Sequence, residues 1–212
     1  MPWQVAELRQ FALRGILVAA LFAPFQLAYQ LVGNWIGPTL KTSFVARESF
    51  YLLGVTLENL SYGVFSMACA KLVVHKRSAL HFFAAGAASR LGLILLEPAF
   101  VQIVPVLNWN VARLLIVTVH YLLPMWLLII IFVHLTNRRL SRNSALTLFA
   151  AVAFSVFATT FLIQGIALTT AGSQMWGFIS AIAIESLMLV ILALFLWIGC
   201  RMSRGENRHL VG

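Results

Sequence analysis

Six ionisable side chains interrupt otherwise apolar stretches of the chain: Glu58, Arg90, Glu97, Arg113, His120 and Glu185. A charged side chain at the centre of a bilayer costs about 2.5–3.5 kcal/mol on insertion scales. Such groups stay there because of partners, a cavity or a function. Their chemistries are complementary. Two guanidinium groups can hold an anionic group through paired N–H donors. A carboxylate can bind and release a proton, and an imidazole can serve as acid, base or nucleophile. Arg90 and Glu97 are seven residues apart, as are Arg113 and His120, so each pair shares one helix face. Glu58 is followed at the third and fourth positions by Ser61 and Tyr62, with Asn59 beside it.

Two cations, three carboxylates and one imidazole make a nearly balanced set, and mutual pairing is how such groups survive in lipid. We read them as a polar cavity that binds a small polar or anionic ligand. The plainer alternative is structural: Glu–Arg pairs that lock neighbouring helices. Arg90 is the expected anchor. It lies near the bilayer middle, where snorkelling is hardest, and Glu185 or Glu58 is its expected partner.

Elements of a definite kind must carry these residues. Of 212 residues, 61% are hydrophobic and 10% charged, and the mean hydropathy is +0.93. Soluble domains run near ~45–50% apolar and ~25% charged. That excludes an ordinary soluble enzyme and, on opposite grounds, a disordered chain. The fold class is an all-α polytopic integral membrane protein, a single transmembrane domain over 1–212. Six runs are long enough to cross a core of ~30 Å: 11–33, 50–74, 79–104, 111–135, 145–170 and 175–200. Arg90, Glu97 and Pro98 interrupt the third. The connections are short; the longest, 34–49, holds Gly37-Pro38, Lys41, Arg47 and Glu48. Any chemistry must occur in the membrane or at its surface.

Charge sets the orientation. There are 15 Lys and Arg against 6 acids, a net charge of +9, and every acid is Glu. One side gathers Arg9, Arg14, Lys71, Lys76, Arg77, Arg138, Arg139, Arg142, Arg201, Arg204 and Arg208. The other has Lys41, Arg47 and Arg113. The positive-inside rule then puts both termini in the cytoplasm. Trp35, Trp109 and Trp176 fall at the outer interface, Trp3 and Trp197 at the inner one, as amphipathic rings prefer. The first run lacks an A-x-A-like cleavage site and is read as a retained helix. In this topology Glu58, Arg90, Glu97, Arg113, His120, Glu185 and Gln164 share a slab from the midplane to the outer surface. The plasma (inner) membrane is the expected location. Anionic lipid headgroups are the expected contact of the basic side, not nucleic acid. A homo-oligomer or a membrane partner subunit is also compatible.

Weaker features have ordinary readings. Arg14 and Pro24 recur as Arg113 and Pro124 about 100 residues later, as in an inverted repeat of three spans per half. The small-residue run from Ala84 to Ser89 permits close helix packing. His81 and His134 could in principle face a haem iron, but their shallow depth opposes it. Cys69 and Cys200 read as small packing residues, without disulfide or zinc spacing. There is no H-E-x-x-H, G-x-S-x-G, P-loop or dinucleotide fingerprint, and no mid-span Lys. No cofactor or metal is expected.

Three functions compete, and a non-enzyme is favoured. The first is a small transporter or transporter subunit, with Arg90 and Arg113 holding an anionic group and Glu58 or Glu185 carrying a proton. The second is a membrane-embedded enzyme acting on a lipid or lipid-linked substrate. There His120 is base or nucleophile, Glu58 or Glu97 an acid, and the arginines a phosphate clamp. The third is a non-catalytic sensor or assembly subunit whose polar groups only pair among themselves.

Overall fold

A computed structural model describes residues 2–73, 79–89, 109–136, 140–169 and 174–209. Nearly all of these residues are helical, and no strand occurs among them. In a bilayer a backbone must satisfy its own N–H and C=O groups, and a helix does so within one segment. The helices are α1 (Pro2–Trp35), α2 (Gly37–Thr42), α3 (Phe44–Val73), α4 (Ala79–Ser89), α5 (Trp109–Leu135), α6 (Arg142–Thr169) and α7 (Gln174–His209).

Four of them contain stretches long and apolar enough to cross a membrane: Val5–Trp35, Leu114–Leu135, Arg142–Ile163 and Ile182–Ser203. They cover the first, fourth, fifth and sixth runs read from the sequence. Helix α3 has 30 residues, about 45 Å at helical rise. Glu58, Asn59, Ser61 and Tyr62 interrupt its apolar run, and no stretch of it stands with those four. Of the third run, 79–89 is described as helix and the rest lies outside the described residues. Both α1 and α5 continue through their prolines, Pro24 and Pro124.

The connection at 34–49 is more ordered than its Gly-Pro pair implies. Pro38 sits in the first turn of α2, where a missing N–H costs nothing. Ser43 then leaves the helical region and its Oγ accepts from the Ala46 N–H at 3.3 Å, capping α3. Ser141 caps α6 in the same way, with its Oγ 3.2 Å from the Ser144 nitrogen.

Helix α7 is the hub, packed against α1, α5 and α6, while α1 also packs on α3. Its buried Met188, Leu192, Leu196 and Cys200 recur every four residues and form one ridge. Leu148, Val152, Val156 and Thr160 do the same on α6. Between them lie Met125, Leu128, Ile129 and Phe132 of α5, all fully buried. The Thr118 and Thr160 hydroxyls link α5 to α6 at 3.1 Å. Leu17, Leu21, Phe25, Phe154 and Phe161 face outward, as a lipid-facing surface requires.

Small residues set the closest approaches. A Cβ at Gly86 of α4 would overlap the Tyr62 carbonyl oxygen and lie 2.9 Å from the Gly63 Cα of α3. A Cβ at Gly63 would meet the Phe83 ring at 2.9 Å. The run Ala84–Ser89 thus makes a close helix crossing, the role its composition implied. Cys69 and Cys200 are buried in the core, as expected of packing residues. His81 and His134 are both exposed.

Candidate functional site

Helix α5 places two consecutive polar residues, His120 and Tyr121, at a junction with its neighbours. Consecutive helical residues point about 100° apart, so one helix can address two partners. His120 Nε2 lies 3.4 Å from Glu58 Oε2 on α3. The Tyr121 hydroxyl donates to Glu185 Oε1 on α7 at 2.7 Å. The two rings meet edge to face, with centroids 5.2 Å apart and planes at 89°. The tyrosine bond has the length of a charge-assisted O–H···O⁻ contact. The histidine contact is longer than a strong hydrogen bond, and it is an ion pair when the imidazole is protonated. Tyr121 is buried, whereas the Glu58, His120 and Glu185 side chains are only partly so.

Helix α1 closes the other side of Glu58. The Tyr29 ring stacks on Phe50 with centroids 4.2 Å apart and planes at 7°. Its hydroxyl lies over Gly54, where a Cβ would come within 2.6 Å. Gly54 is what lets this tyrosine reach across α3. Glu58 lies within electrostatic reach of Tyr29. Beside Glu58, Asn59 Oδ1 is buried with no hydrogen-bond partner among the described residues.

Around Glu185 a cleft opens between α1, α3 and α7, about 260 Å³ with its open mouth included. Gln26, Ser61, Glu185 and Ser186 are its polar walls, and Ala19, Phe22 and Leu189 are among its apolar ones. Ser61 donates its hydroxyl proton to the Glu58 carbonyl oxygen at 2.8 Å.

Of the six residues singled out from the sequence, Glu58 and His120 are brought into contact, and Glu185 joins the same junction through Tyr121. Arg90 and Glu97 lie outside the described residues, and so does the expected Arg90 contact. Arg113 is on α5, but its side chain lies outside what is described, as does that of Gln164 on α6. Both acids on the expected list of Arg90 partners have partners on α5. Tyr121, Gln26 and Ser186 were not singled out. Tyr121 could have been found as a hydroxyl directly after His120, and Gln26 as an amide in the first apolar run.

Comparison of the chain with known protein families, curated proteins and solved structures finds no match. Its class rests on its own features: the described residues are nearly all helical, and four helices among them are long and apolar enough to span a membrane.

Proposed function

We propose that the chain spans the plasma (inner) membrane six times with both termini in the cytoplasm, and that the α3–α5–α7 junction is a transport site. In this reading α3 and the run at 79–104 supply the second and third spans, and the site faces the outer half of the bilayer. It takes a small polar or anionic ligand, which Arg90 and Arg113 hold, while Glu58 or Glu185 carries a proton. One observation supports this above the others: carboxylates on two different helices are both engaged by neighbouring residues of α5. A small rotation of α5 disturbs both contacts together. Ligand binding and proton release are then joined through one rigid element.

Purified protein in liposomes holding a pH-sensitive dye tests this. An inward gradient of inorganic phosphate or succinate should acidify the lumen. A hydrogen bond to a charged group contributes about 1.5–3 kcal/mol, and each ~1.4 kcal/mol is tenfold in rate. Whichever of Glu58→Gln and Glu185→Gln removes the proton carrier should therefore be at least about tenfold slower. Acidification no faster than in protein-free liposomes for either anion, or unchanged in both Glu58→Gln and Glu185→Gln, refutes the transport reading. The subunit reading is favoured by the same pairings, since polar groups that satisfy one another need no ligand. It predicts no flux and a fall in membrane level for His120→Ala.

A further inference from the structure

We propose that Tyr29 is a positioning residue for Glu58. Its hydroxyl holds the carboxyl group from α1 while His120 holds it from α5, so two helices set where Glu58 points and how tightly it keeps a proton. This deepens the transport reading above, on which it rests for the use made of that proton.

Helix geometry carries the inference. Phe50, Gly54 and Glu58 follow one another at intervals of four, so they line one face of α3. The Tyr29 ring enters that face from α1 and lies flat on Phe50, with centroids 4.2 Å apart and planes at 7°. Its hydroxyl oxygen would be 2.6 Å from a Cβ at Gly54. One turn separates that point from Glu58, and residues a turn apart have Cβ atoms about 5–6 Å apart. A helical side chain leans back over the turn before it. Glu58 therefore covers the surface around Gly54, where the hydroxyl is. Glu58 also acts on Tyr29 electrostatically. A phenol O–H can donate to a carboxylate, as Tyr121 does to Glu185 in the same bundle.

Both helices hold the tyrosine in place. The Phe50 ring under it is itself seated over Gly33 of α1, where a Cβ would be 2.7 Å from the ring. Each helix thus gives up a side chain where the other's ring arrives, Gly54 for Tyr29 and Gly33 for Phe50. Both rings are half-buried. The titratable groups facing Glu58 come from separate elements: His120 from α5, Tyr29 from α1 and Tyr62 a turn further along α3. Helix α7 brings Glu185 to the same junction through Tyr121. His81, the titratable residue of α4, is exposed in its first turn.

Titration of the Glu58 side-chain carboxyl carbon by NMR, on the purified full chain in nanodiscs, tests the role. The signal is assigned by its loss in Glu58→Gln. Tyr29→Phe keeps the stack on Phe50 and removes only the donor. A donor to the charged form favours that form, so its loss should raise the Glu58 midpoint by about one pH unit, a tenfold gain in proton affinity. The Glu185 midpoint in the same sample should stay in place. Gly54→Ala retains the hydroxyl but puts a methyl group where it lies. It should shift Glu58 in the same direction, and it serves where Tyr29→Phe fails to fold. A Tyr29→Phe curve that superimposes on the wild type overturns the proposal, because the ring then only packs. So does a Glu185 shift as large as that of Glu58, which means that the whole bundle has loosened. The readout needs no flux. A raised Glu58 midpoint without anion-driven acidification refutes transport and leaves Tyr29 in its role, and acidification with an unmoved midpoint does the reverse.

Discussion

The Tyr121 hydroxyl points at Glu185 Oε1 from 2.7 Å, a bond that ties α5 to a carboxyl group of α7 inside an apolar bundle. Tyr121→Phe keeps the buried ring and removes only the donor. Polar contacts between membrane helices average about 0.6 kcal/mol in double-mutant cycles, whereas hydrogen bonds to charged groups reach about 1.5–3 kcal/mol. The short Tyr121–Glu185 bond falls between these two values. The coupling energy between Tyr121→Phe and Glu185→Met, from reversible unfolding in mixed micelles, should be about 1 kcal/mol or more. Strict additivity of the two changes would mean that the bond contributes nothing. At this scale the sequence showed Glu58, His120 and Glu185, because an ionisable group in an apolar run stands out by composition. It did not show which groups meet. Partner choice depends on the rotation of each helix about its axis, and a tyrosine in an apolar run reads as an ordinary packing residue.

At the scale of elements, the α3–α4 crossing is set by two glycines. Gly86→Ala would drive a methyl group into the Tyr62 carbonyl, a backbone atom that cannot turn aside. Overpacking of this kind costs about 1–3 kcal/mol. Nothing lies within 4 Å of a Cβ at Gly37, so Gly37→Ala should stay within about 0.5 kcal/mol of wild type. Equal stability of the two variants in the same unfolding assay would contradict the close crossing. Helices α1, α5, α6 and α7 were legible because long apolar runs admit little else in lipid. The stretch 34–49 was not. Gly37-Pro38 reads as a turn, yet proline is well placed in a first helical turn, and α2 with the start of α3 occupies the segment. Most of α3 falls in the apolar run read at 50–74, whereas its first turns, from Phe44, lie in the stretch read as a connection.

For the whole molecule, orientation and site become one question: whether the polar junction between α1, α3, α5 and α7 opens to the outer face. The charge distribution predicts that Thr39 is outside and Asn143 inside, and both are exposed positions suited to single-cysteine reporters. The two native thiols are buried and can stay in place as a slow-reacting background. Labelling of Ser186→Cys by a membrane-impermeant thiol reagent in sealed vesicles of known orientation, with Phe161→Cys on the lipid-facing surface for comparison, tests the account most directly. We predict that position 186 labels from the side that labels Thr39→Cys, and that position 161 stays unlabelled. Labelling of position 186 only from the side that labels Asn143→Cys, or from neither side, would contradict an outward-facing site.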